Sequence, residues 1–464
     1  MFLLSLPAVT PRIYSSDEIQ YFAYLRSIWF DRDLSFENEY RYFYDRGVAR
    51  SDGFHETFLE RTTETGRRIN FGTIGCAILW TPFYAAGHAA AAMTGAPQDG
   101  YSRPYLAAVA YGSAVYGFLA LLLAIRCAAR LGLDGLAAGV AVWLGTPLLF
   151  YMYVAPPFSH ACSAFTVALF IWVWLRVRER WSPGGFAVLG AAGALMAMTR
   201  EQDVFFIAGP ALDWLLAELR RPRFEVRWFG PVAAAVCFLA AYTPQLLAYK
   251  VLNGHFGPHS SVANKMKWYA PHAFQVLFSP EHGYFVWTPL AALALAGLLL
   301  AVRRRDVPPE GGSHKSDRVP PEGGSQTRIP VVSAFRRNDA ALPLLLVFVL
   351  QVYISGSVDS WTVAGGFGQR RFVALTTVLV VGLSSLFALV PWRRRVLWTV
   401  TALAVYWNIA LTAEFATGLM DRQKLEPAKN AYAAFVTLPR VAPGLAYRYL
   451  FDRQSFYRAN SVPR

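Results

Sequence analysis

The chain reads as an all-α integral membrane protein, a polytopic helical bundle of about eleven spans with surface helices in an external first loop. Three observations lead there. Of its 464 residues 55% are hydrophobic and 15% aromatic while only 16% are charged, the proportions of a protein whose solvent is largely lipid. A bilayer core of about 30 Å takes roughly 20 apolar residues per helix, and stretches of that length recur from Pro104 almost to Phe415. The arginine clusters fall in the short connections between those stretches, where the positive-inside rule assigns them to the cytoplasmic side. A net charge of +14 is thereby accounted for, and no nucleic acid is expected as a partner. Cys76, Cys127, Cys162 and Cys237 lie apart in apolar surroundings, a pattern of neither a disulfide framework nor a metal site.

Residues 1–14 (MFLLSLPAVTPRIY) are too short to span, and they lack a basic leader and a small-residue cleavage site. They read as the end of a truncated first transmembrane helix that begins upstream of Met1. Residues 15–103 form an external loop with juxtamembrane helices. Within it, 71–93 is apolar but holds Pro82 and His88, and it is expected to lie on the outer surface because a further crossing would carry the first loop inside. Residues 104–302 are transmembrane bundle, with spans at 104–125, 135–155, 158–175, 184–198, 204–219, 228–251 and 284–302. Residues 303–340 carry VPPEGGS twice, at 307–313 and 319–325, and predict a disordered cytoplasmic linker. Residues 341–415 complete the bundle with spans at 341–357, 372–390 and 396–415, and 416–464 form an external C-terminal tail. Segments 15–103, 252–283, 359–371 and the tail then share one external face.

The stretch SSDEIQYFAY puts two carboxylates where that face begins. Ser15-x-x-Glu18 fits a capping box, with Ser15 accepting from the third helical N–H and Glu18 reaching back to Ser15, worth about 1 kcal/mol. Asp17 has no duty in such a box beyond a weak interaction with the helix dipole, which leaves it free to act as a general base. Arg200, Glu201 and Asp203 lie between two apolar segments, where a charge costs roughly 2.5–3.5 kcal/mol on insertion scales and therefore pairs or lines a cavity. An ion pair of Arg200 with Glu201 or Asp203 is the structural alternative. Arg370 and Arg371 follow GGFGQ at an external helix start, where guanidinium groups can grip a phosphate bidentately; interfacial snorkelling is the alternative. His160, at a helix entrance, is either a hydrogen-bonded structural group or a pocket residue. Lys265, Lys267, Glu281 and His282 sit in another external loop.

Taken in order, DEIQYFAY, ILWTPFY, the hairpins of 104–175, LFSPEHGYFVWTP and GGFGQRRF before a late helix resemble the GT-C superfamily of membrane glycosyltransferases, which use polyprenyl-phosphate-linked sugars. Protein O-mannosyltransferases and the aminoarabinose transferase of lipid A are members. The resemblance covers most of the chain and rests on order and topology rather than on one motif. It implies a GT-C-type bundle in the cytoplasmic membrane, active at its extracytoplasmic face, that transfers a sugar with inversion from a polyprenyl-phosphate donor to a hydroxyl of a lipid, glycan or protein. It also implies Asp17 as the base with Glu18 as its neighbour. His160, Arg200, Arg370 and Arg371 then belong to the donor phosphate and substrate. Arg67 and Arg68 occupy the place of a basic residue that meets the donor phosphate in the family, although the family's Lys-Pro is absent; His160, within SHA at 159–161, stands where relatives carry an acid. Some relatives use a divalent metal, for which this sequence shows no demanding ligand set. The rings of EYRYFYDR (39–46) suit either a sugar face or an interfacial belt. Membrane lipids are the remaining partners. A transporter or lipid flippase would also need many helices and buried charges, but predicts internal repeats and broken helices at the midplane. A non-catalytic scaffold would explain SHA and the missing Lys-Pro.

Overall fold

The computed structural model describes residues 2–220, 228–303, 332–363, 365–453 and 455, with backbone only at 263 and 332–339. Both VPPEGGS repeats lie outside the described residues. Among the described residues the regular structure is helical, relieved by isolated bridges between Thr62 and Arg68 and between Met266 and Val358. Among the described residues five helices are long and apolar enough to cross a membrane: Arg103–Arg130, His160–Val177, Phe229–Asn253, Arg370–Leu389 and Pro391–Thr417. Shorter apolar helices accompany them at Leu136–Gly145, Pro183–Thr199, Leu290–Arg303 and Ala340–Gly356. This is the composition of a helical membrane protein.

Several expected spans are interrupted. The 135–155 segment breaks into Leu136–Gly145 and Leu148–Tyr153, because Thr146 is extended and Pro147 cannot donate a helical hydrogen bond. The freed carbonyls of Leu144 and Thr146 accept from Asn408 Nδ2 at 2.9 and 3.0 Å, as backbone away from water requires. The 204–219 segment enters through a 3-10 turn, Glu201–Ile207, after Arg200 has left the Pro183–Thr199 helix in an extended conformation. The 284–302 segment divides at Thr288 and Pro289 into Tyr284–Trp287 and Leu290–Arg303.

Where helices are unbroken, small residues bring them close. A Cβ on Gly297 would stand 1.9 Å from the carbonyl oxygen of Gly382, and one on Gly382 would stand 2.3 Å from that of Ala294. The Leu290–Arg303 and Thr376–Leu389 helices thus touch backbone to backbone, the packing that stands in for hydrophobic collapse in lipid.

The first loop builds its own aromatic core. Ser16–Arg26, Glu37–Asp45 and Gly75–Thr94 bury Phe22, Tyr24, Tyr40, Phe43, Trp80 and Tyr84 together. Two of the EYRYFYDR rings, Tyr40 and Phe43, are buried in this core, and Tyr42 stacks on Tyr101 at 3.7 Å. Glu39 is also buried, held by Arg26 at 3.1 Å.

Candidate functional site

The capping box forms with both of its bonds. Ser15 is extended and its hydroxyl accepts from the Glu18 N–H, while Glu18 Oε2 accepts from the N–H groups of Tyr14 at 2.7 Å and Ser15 at 3.0 Å. Glu18 is wholly buried. Burial pushes its carboxyl up to about 8 against the opposing effect of those two N–H groups. Successive helical residues diverge by about 100°, so with Glu18 turned inward its neighbour points elsewhere. Asp17 Oδ2 meets Arg370 at 2.8 Å, with side-chain exposures of 39% for Asp17 and 22% for Arg370. Glu18 is thus a buried cap and Asp17 the reachable carboxylate.

Arg370 is aimed by a clamped loop. Gly368 has a φ of +54° and lies so close to Pro147 that a Cβ would approach Cγ to 3.0 Å, a position that only glycine takes at no steric cost. The Tyr151 hydroxyl accepts from the Phe367 N–H at 3.0 Å and donates to its carbonyl at 3.3 Å. His282 Nε2 bonds the Gly366 carbonyl at 2.8 Å while its ring stacks on Trp287. Burial holds the His282 imidazole down at about 4, so it is neutral at pH 7 and Nε2 donates. The Arg370 guanidinium then lies 5.5 Å over the Phe158 ring.

A second arginine arrives from the break after Pro183–Thr199. Arg200 donates to His160 Nδ1 at 2.7 Å and to Ser159 Oγ at 3.2 Å. Because a guanidinium only donates, Nδ1 of His160 is the acceptor and the imidazole proton sits on Nε2. Tyr151 faces the same imidazole at 4.4 Å between ring centres, which joins the two arginine sites through one side chain. Arg371 donates to Ser360 through its carbonyl and its hydroxyl, both at 3.0 Å, and lies within electrostatic range of Arg370, Arg200 and Asp17. Asp203 accepts from Ser163 at 2.6 Å.

Asp17, His160, Arg200, Arg370 and Arg371 are therefore brought together from four distant segments. Arg68 is not. Arg68 forms an ion pair with Glu37 at 2.8 Å and donates to the Glu60 carbonyl, and the Arg67 carbonyl closes a tight hairpin with the Thr63 N–H at 2.8 Å. Arg68 is the first cause holding the Glu37 carboxyl below its ordinary value. The Arg68 guanidinium is thus engaged within the loop. The anticipated pair of Arg200 with Glu201 or Asp203 gives way to the contacts with His160 and Ser159. Lys265 lies over the Phe71 ring and Lys267 faces Asp359, while His282 acts on the Arg370 loop. Tyr151, Phe158 and Ser360 carry no distinguishing mark in the sequence, since each belongs to a residue type common along apolar segments and loops.

Three guanidinium groups face two carboxylates, Asp17 and Asp203, so the cluster carries an excess of positive charge and favours an anion with several acceptor oxygens. A half-exposed carboxylate stands at its edge. For a divalent metal the donors do not fit: among the described residues no group of three or more His, Cys, Asp or Glu is placed to hold one. The chain matches no family model and no curated protein.

Proposed function

We propose that this protein is a membrane glycosyltransferase of GT-C type, with about eleven spans, acting at the extracytoplasmic face of the cytoplasmic membrane on a polyprenyl-phosphate-linked sugar. The observation that carries the reading is the Asp17–Arg370 ion pair set among Arg200, Arg371 and His160. An anion site directly beside a reachable carboxylate is what transfer from a sugar phosphate needs. The donor phosphate engages Arg370 and Arg371 and competes with Asp17 for Arg370, which turns the carboxylate toward the acceptor. Asp17 takes the proton from the acceptor hydroxyl as that oxygen bonds to the anomeric carbon. The bond from that carbon to the phosphate oxygen breaks, and the polyprenyl phosphate leaves with the electron pair, its charge met by the arginines. One displacement inverts the centre. An apolar cavity of about 740 Å³, lined by Ser5, Trp143, Tyr153, Tyr406, Ala410 and Tyr449, supports a lipid-borne donor because its volume and apolar walls suit an isoprenoid chain.

Cells lacking the protein, complemented with wild type or Asp17→Asn at matched expression, test the reading. Loss of a general base lowers transfer by about 10²–10⁴-fold, so Asp17→Asn is expected to accumulate a lipid-linked sugar as the uncomplemented strain does. Envelope glycans and lipid-linked sugars restored to the wild-type pattern by Asp17→Asn would overturn it.

A further inference from the structure

The chain that follows the Phe229–Asn253 helix is fastened at the level where the bundle meets the bilayer surface. At 25 residues that helix is about 37 Å long, more than the roughly 30 Å of a hydrocarbon core. Its flank exposes Val232, Val236, Leu239 and Leu247, so it borders lipid and its last turn reaches the headgroups. The segment after it is bonded to the end of a second apolar helix, Ala340–Gly356. The His272 N–H donates to the Gly356 carbonyl at 2.9 Å, and the Tyr353 hydroxyl donates to the Trp268 carbonyl at 2.7 Å. Just beyond that helix end, the Lys267 N–H donates to the Ser357 carbonyl at 2.6 Å and the Asp359 N–H to the Lys265 carbonyl at 2.8 Å.

Held in this way, the segment turns four rings outward. Tyr269 is 87% exposed and Phe274 71%, and Trp268 and Phe278 are exposed as well. Phe274 and Phe278 stand one turn apart on the short Ala273–Phe278 helix, their ring centres 4.9 Å from each other, while Val276 between them is buried. Trp268 extends the surface to the exposed rings of Tyr353 at 5.9 Å and Phe205 at 6.3 Å. Removing a large apolar side chain from water gives about 1.5–3 kcal/mol, a gain that the fold leaves unrealised at these positions. No acidic residue occurs between 254 and 280, so nothing in the segment itself repels lipid phosphates.

We infer that residues 265–278 rest in the leaflet at this end of the bundle, with Trp268, Tyr269, Phe274 and Phe278 inserted among the lipids. Continuity favours lipid over a soluble partner: the rings adjoin the ends of apolar helices at the depth where aromatic side chains are enriched in membrane proteins. The anchor is also joined to the candidate site, because Asp359 is bonded to it and the next residue, Ser360, accepts from Arg371. The inference concerns the depth of the segment and does not depend on the transfer proposed above.

Nitroxide labels on the full-length protein, reconstituted in vesicles of phosphatidylethanolamine and phosphatidylglycerol, test the depth. Cys76, Cys127 and Cys162 are buried, so Cys237→Ser leaves introduced cysteines as the sites that react. Tyr269→Cys and Phe274→Cys carry the label in the segment; both positions are exposed, so the fold tolerates the change. Val236→Cys, on the flank of the Phe229–Asn253 helix, gives the lipid reference, and Asp52→Cys, exposed in the first loop, gives the water reference. Collisions with oxygen, which enters lipid, are compared with collisions with a water-soluble nickel chelate. The labels at 269 and 274 are expected about 5–10 Å into the headgroup and acyl boundary, shielded from the chelate as at 236. Chelate access at either position equal to that at 52 would overturn the inference.

Discussion

Glu18 makes the sharpest demand on experiment, because its surroundings oppose its own ionisation. In the unfolded chain its carboxyl has the ordinary value of 4.5, while burial in the fold raises it to about 8. Below pH 4.5 both states hold the proton and the full stability is present. Between 4.5 and about 8 the unfolded chain releases a proton that the folded chain retains, so stability falls as pH rises, and above about 8 the loss is complete. At about 1.4 kcal/mol per pH unit, the whole interval amounts to on the order of 5 kcal/mol and the part lost by pH 7 to about 3 kcal/mol. Glu18→Gln cannot ionise, yet it keeps an oxygen for the N–H groups of Tyr14 and Ser15. It is expected to lie close to wild type near pH 5, to exceed it increasingly up to about pH 8 and to hold that margin to pH 9. Glu18→Ala leaves both N–H groups without their acceptor, at about 1–3 kcal/mol each, and is expected to be weaker at every pH. Thermal unfolding of the three proteins in one detergent from pH 5 to 9 reads this directly. Glu39, which burial lifts to about 7, contributes a slope of the same sign, so the informative quantity is the difference between wild type and Glu18→Gln. Parallel curves for those two would refute the assignment of Glu18 as a buried, largely neutral cap.

Two further outcomes follow from the packing. Tyr151→Phe keeps the ring against His160 but deprives the Phe367 N–H of its acceptor, at about 1–3 kcal/mol. A lower melting temperature together with weaker binding of a polyprenyl phosphate is expected, and a change in neither would show that the Arg370 loop is held without Tyr151. Gly297→Ala would place a methyl group 1.9 Å from a backbone oxygen and force two helices apart, costing about 3 kcal/mol or more. Gly184→Ala, which meets nothing within 4 Å, is the control, and equal melting temperatures for the two would contradict the close approach.

The sequence was most informative where structure is local or compositional. The Ser15-to-Glu18 spacing specified a capping box, and both reciprocal bonds are present, because a cap depends only on residues three apart. Composition specified helices in lipid, since only helices satisfy their own backbone there without a closed barrel. The breaks beside Pro147 and Pro289 were not expected, because a proline is tolerated within a continuous span and what satisfies the freed carbonyls, as Asn408 does for Leu144 and Thr146, lies far along the chain. The core positions of Tyr40 and Phe43 within EYRYFYDR were not legible for a related reason: whether a ring lies in a core or at a surface is decided by what packs against it.

By itself, then, the sequence determined a basic, helical membrane chain with a capped helix start at Ser15. Which of its many arginines matter was decided only by the tertiary structure. Arg68 was drawn to Glu37, while Arg370 was drawn to Asp17 across more than 350 residues. The physical reason is that a cap or an apolar period is encoded by neighbours, whereas the field at a carboxylate is set by whichever charges the folded chain brings within a few ångströms.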